Sequence, residues 1–110
     1  MKQATVALFA ISWLFRIDPA MAQDRPPDAV AGQALASRLC ASCHAVDLAG
    51  TASARADIPS FSAIARSPRA TAERLAGAII IPHPMMPGVP LTRNEIRDLI
   101  AFILSLKPRN

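Results

Sequence analysis

The pentapeptide Cys40-Ala41-Ser42-Cys43-His44 constrains this chain more than any other feature, because it gathers both cysteines and one of the two histidines into five positions. C-x-x-C-H is the pattern by which haem is attached covalently. Two thiols have to reach two vinyl groups on one edge of a macrocycle, and three residues apart on a helical turn they point the same way. The histidine after the second thiol then lies under the iron and offers an imidazole nitrogen, a good ligand for it. Two other chemistries use residues of this kind. A Cys-x-x-Cys pair forms redox disulfides in thioredoxin-like proteins, but no βαβ pattern surrounds it here. Zinc normally takes four ligands, and His83 is the only further histidine. The expected cofactor is one haem c with its iron.

The rest of the chain explains why such a cofactor is needed. Met1 and Lys2 supply a positive start, residues 4–15 an apolar run of 12, and Ala20-Met21-Ala22 a small-x-small site. That order reads as a secretory signal peptide over residues 1–22. The run is shorter than the about 20 apolar residues that cross a bilayer, so an uncleaved anchor or a buried first helix is the lesser alternative. Cleavage after Ala22 leaves one domain, residues 23–110, with a net charge of +3 and Phe61 and Phe102 as its only aromatic residues. A chain this small buries little apolar surface and usually needs a staple; a large flat cofactor supplies one. Export agrees with the motif, because bacteria attach haem c outside the cytoplasm, and the expected location is the periplasm. The basic residues are scattered and lack interleaved aromatics, which argues against nucleic acid. A modest positive face suits an acidic protein partner better.

No repeat and no strand alternation occur, and the expectation is all-α. Asp28 caps a helix over 29–39 in which Val30, Leu35 and Leu39 give only a rough apolar stripe, the rest of that side being Ala and Gly, a face small enough to let another backbone come close. Residues 47–57 read as a loop, Pro59 to Ala65 as a short helical turn, and Thr71 as the cap of a helix carrying Leu75, Ala78, Ile79 and Ile80. Residues 82–90 hold four prolines and cannot be regular structure. Thr92 and Glu95 form a capping box, with Leu91 and Ile96 as its hydrophobic staple. Ile96, Leu99, Ile100, Ile103 and Leu106 then follow helical spacing until Pro108.

An electron-carrying haem iron prefers a sixth ligand, and a thioether there raises the potential relative to a second imidazole. After Ala22 the only methionines are Met85 and Met86, both in the stiff proline-rich segment, which is expected to be extended so that the two point in nearly opposite directions and only one faces the iron. His83 is the rival ligand, and it lies three positions before Met86, near enough to move in were Met86 lost.

Taken together these motifs resemble the class I monohaem c-type cytochromes, particularly the short bacterial periplasmic ones. The resemblance runs from Gly32 to about Leu106. It rests on Gly32, on Cys40-x-x-Cys43-His44, on Pro59-Ser60-Phe61, on Met86-Pro87, and on Leu91-Thr92-x-x-Glu95-Ile96 with Leu99-x-x-Phe102-Ile103. It implies a cytochrome c fold of three to five short helices around one covalent haem, with the first and last helices crossing at Gly32 against Phe102. In that family the distal methionine commonly precedes a proline, which selects Met86 over Met85 as the axial partner of His44. Pro59 matches the proline whose carbonyl accepts a hydrogen bond from the proximal histidine. The usual Tyr or Trp of the last helix is Phe102 here, so an aromatic donor to a haem propionate is missing; Arg55, Arg66 and Arg69 are the candidate replacements.

The function implied is a soluble, monomeric electron carrier that meets redox protein partners, a reductase on one side and an oxidase or dehydrogenase on the other. With both axial positions filled, the iron has no open site, and no Ser-His-Asp set or carboxylate pair accompanies the motif, so the chain is not expected to be an enzyme. Two further readings remain: a haem-based sensor of small ligands, if Met86 leaves the iron readily, and an electron-entry subunit of a larger dehydrogenase or oxidase.

Overall fold

The computed structural model describes residues 25–47 and 55–109. The signal peptide expected over residues 1–22 and most of the loop expected over 47–57 lie outside these.

Four helices form in the order α1 (Ala29–Leu39), α2 (Phe61–Arg66), α3 (Ala72–Ile80) and α4 (Arg93–Ser105), with no strand among the described residues. Each begins at a side-chain cap. Asp28 accepts from the amides of Val30 and Ala31, Ser60 from Ala63, Thr71 from Arg74 and Thr92 from Glu95, so orphan N–H groups are satisfied at every helix start. Glu95 returns the bond to the amide of Thr92 at 2.8 Å, completing the capping box. Those bonds hold the Glu95 carboxyl below its usual range, the backbone amide of Thr92 most of all.

Helix α4 is the hub. Helices α1, α2 and α3 each pack on it and do not pack on one another, with α1 making by far the most extensive contact. The α1/α4 crossing depends on Gly32, where a Cβ atom would sit 2.0 Å from the carbonyl oxygen of Asp98 and 2.9 Å from Cβ of Phe102. Only a residue without a side chain lets the two backbones approach this closely.

The buried face of α1 differs from the expected stripe. Leu35 is buried, but Val30 is 76% exposed and Leu39 is 41% exposed; Gly32 and Ala36 are buried instead. Close backbone approach selects the small face of α1 over its bulkier one. The core is correspondingly lean: Phe61, Leu75, Leu99, Ile100, Phe102, Ile103 and Leu106 supply its bulk, all but Phe61 and Leu75 from α4 or its C-cap.

One charged group is buried with them. Asp98 is 1% exposed. Its Oδ1 accepts from Arg25 Nη1 at 2.9 Å and from the amide of Asp28 at 2.8 Å, and Arg25 Nη2 bonds to Oδ2. The guanidinium of Arg25 holds the Asp98 carboxyl below the ordinary carboxylate range, against the desolvation that opposes ionisation. This pair ties the segment before α1 to the middle of α4.

Candidate haem site

Helix α1 ends at Leu39, and the C-x-x-C-H motif rides on the turn that follows. Amides of Cys43 and His44 both donate to the carbonyl of Cys40, at 3.1 and 2.9 Å. Both thiols are free and partly buried, and burial pushes the Cys40 thiol up from its usual pKa. They open onto a cleft of about 880 Å³, its open mouth included, whose wall also carries His44, Pro59, His83 and Met86. An adjoining apolar recess, lined by Leu35, Ile79, Leu91 and Leu99, shares Cys40 and Met86 with it.

His44 is positioned from the segment 59–61. Its Nδ1 lies 2.8 Å from the carbonyl oxygen of Pro59, so Nδ1–H donates there and Nε2 keeps its lone pair. Ser60 caps α2, and the amide of Phe61 donates to the carbonyl of Ala45 at 2.9 Å, pinning α2 to the end of the motif. The Phe61 ring lies 5.3 Å from the imidazole of His44 and 6.3 Å from Phe102. A continuous line of rings therefore joins the site to the α1/α4 crossing. No sequence motif gives Phe61 a role of its own. Its signal was rarity, as one of two aromatic residues after position 22.

The proline-rich segment is a turn and not the extended run in which Met85 and Met86 would point in opposite directions. The amide of Met86 donates to the carbonyl of His83 at 3.0 Å, and Met85 has φ 72°. Proline at the second position and positive φ at the third are the marks of a type II turn, which favours glycine where Met85 stands. Met85 is 78% exposed, whereas Met86 is half-buried. Among the arginines proposed for a propionate, Arg55 bonds to Asp57 on the rim of the cleft at 3.2 Å. Arg66 and Arg69 are exposed and do not line it.

The donor set suits a covalently held macrocycle better than a bare ion. Two free thiols and an imidazole share one wall of an open, mostly apolar cleft, and no group of three or more His, Cys, Asp or Glu among the described residues is placed to hold a metal. An all-helical domain built around such a cleft has the makings of a c-type cytochrome. The sequence profile of the family described as Cytochrome c matches residues 29–107, and the chain belongs to that family. It is 51% identical over 81 residues to cytochrome c-552 of Bradyrhizobium diazoefficiens, covering 74% of this chain and 77% of that one. No solved structure matches the chain. The protein is a haem c electron carrier with one covalently bound haem. No helix among the described residues is long and apolar enough to cross a membrane.

Proposed function

We propose that this protein is an exported, diffusible carrier of single electrons, with its haem bonded to Cys40 and Cys43 and its iron held by His44 and Met86. The observation that carries the reading is the meeting of both thiols and His44 with the methionine pair around one cleft, where Met85 is exposed while Met86 is half-buried and also borders the apolar recess. When bound, the haem supplies one-electron chemistry at its iron, and the chain's own residues do the remaining work. Pro59 fixes the imidazole by accepting from Nδ1–H, which makes His44 a better donor to iron. Met86 also borders the apolar recess, where Leu35, Ile79, Leu91 and Leu99 offer water no polar side chain. With both axial positions taken no site is open to substrate, so the chain carries electrons without catalysing a reaction of its own. Residues 1–22 act as the export signal and are removed after Ala22, which places the carrier in the periplasm. The net charge of +3 beyond Ala22 favours redox partners with an acidic docking face.

The axial pair is tested by redox titration with visible spectroscopy. Met86→Ala or Met86→His removes the sulfur–iron absorption band of the oxidised protein and lowers the reduction potential. Haem potentials span about 0.8 V across axial ligands, and the expected fall is on the order of 0.1 V or more by the same reasoning. Met85→Ala leaves band and potential close to the parent. Loss of the band in Met85→Ala with retention in Met86→Ala overturns the choice of Met86.

A further inference from the structure

We propose that His83 is an alternative ligand for the sixth position of the haem iron, held in reserve on the same turn as Met86; the proposal rests on the His44/Met86 reading above. His83 and Met86 are the first and fourth residues of one β-turn, closed by the 3.0 Å bond between their backbone groups. Both ends of the turn line the cleft together with Cys40, Cys43 and His44. Exchanging one end for the other therefore needs side-chain rotation within a short turn, and helices α3 and α4 on either side keep their places.

The His83 ring is within reach of an ion that His44 would hold. The ring centre of His83 is 6.4 Å from that of His44, with the planes at 86°. Two imidazoles across one metal, at metal–nitrogen distances of about 2.0–2.1 Å, have ring centres roughly 6 Å apart. The tautomers also agree. Nδ1 of His83 lies 3.3 Å from the carbonyl of Pro84, as Nδ1 of His44 lies 2.8 Å from that of Pro59. In each ring the N–H donates to a proline carbonyl and Nε2 is the nitrogen left with a lone pair.

Ligand chemistry decides when the reserve is used. A thioether is soft and favours ferrous iron, while imidazole tolerates the ferric state better. Exchange breaks the bond from Met86 Sδ to iron and forms one from His83 Nε2. No electron moves, and no proton is released, because Nδ1 keeps its hydrogen. Met86 is the resting ligand because it is half-buried beside the apolar recess, whereas His83 is exposed.

The test uses holoprotein with Met86→Leu, which keeps the side-chain volume and removes the sulfur, and with Met86→Leu combined with His83→Ala. Met86→Ala, with and without His83→Ala, provides a second pair if leucine disturbs folding. In the ferric state the single variants give the electron paramagnetic resonance of a low-spin bis-imidazole iron, and the double variants lose it. In the ferrous state carbon monoxide binds the single variants at least about tenfold more weakly than the doubles, because an apparent Kd rises as the open fraction falls. A high-spin ferric single variant whose carbon monoxide affinity equals that of its double variant overturns the proposal and leaves the axial pair standing. A Met86 variant that keeps the sulfur–iron band overturns both, and its spectrum distinguishes that failure from the first.

Discussion

Replacing Gly32 with alanine puts a methyl group 2.0 Å from the Asp98 carbonyl oxygen and 2.5 Å from its carbon. Both are backbone atoms in the middle of α4, so neither can swing aside. Reaching the 3.4 Å at which ordinary contact begins requires α1 and α4 to part by roughly 1.4 Å. A gap of about 0.5–1 Å already forfeits a quarter to a half of a dispersion contact, and the contacts affected include Leu35, Ala36, Leu99, Phe102 and Ile103. Overpacking of this kind costs about 3 kcal/mol, the upper end of its usual range. The better helix propensity of alanine returns about 1 kcal/mol, leaving a net loss of about 2 kcal/mol or more. At roughly 4–8 °C per kcal/mol for a domain this small, Tm falls by about 10 °C or more. Gly77 is the internal control: it lies inside α3 with nothing within 4 Å of a built Cβ. Gly77→Ala raises stability by up to about 1 kcal/mol. Thermal and guanidinium unfolding of the two holoproteins, followed by far-ultraviolet circular dichroism, measures both. A Gly32→Ala protein with a midpoint at or above the parent's would refute the close-approach argument.

Three other outcomes are expected. Asp98 has a depressed carboxyl pKa in the folded state, so its contribution to stability is present above the ordinary carboxylate value of about 3.9 and is lost as pH falls through the lower folded value. Arg25→Ala therefore moves the acid-unfolding midpoint to higher pH, read by circular dichroism across an acid titration; an unmoved midpoint shows that the ion pair does not contribute. Cys40→Ala combined with Cys43→Ala abolishes covalent haem and leaves the chain largely unfolded, because the remaining core is too small to fold on its own; a helical spectrum equal to the parent's counts against the cofactor as core. Intact mass of the exported protein equals residues 23–110 plus one haem, with a small further loss if Gln23 cyclises, and a mass that retains residues 1–22 identifies an anchor instead.

Features set by neighbours along the chain were legible before any fold was known. Asp28, Ser60, Thr71 and Thr92 begin the helices they cap, and Cys40, Cys43 and His44 share a turn, because a cap or a C-x-x-C-H motif completes its geometry within five residues. Ser60 caps from within residues 59–65, where the sequence predicts a short helical turn. Met85 shows the limit of local reading: four prolines forbade regular structure, yet the bond from Met86 to His83 and the positive φ between them replaced an extended run by a turn.

What only the tertiary structure decided joins residues far apart in sequence. Val30 looked as fit for burial as Leu35, but burial on α1 follows the backbone approach at Gly32, and that depends on what α4 presents there. Nothing near Arg25 or Asp98 in the sequence marks them as partners; the crossing of α1 and α4 places one carboxylate in the core and one guanidinium on it. The spacing of His83 from His44 arises the same way, from three separate segments packed on α4 around a cleft. A residue's own type and its near neighbours carry its local conformation; its burial and its distant partners follow from how the helices close on one another, which no short stretch of the chain contains.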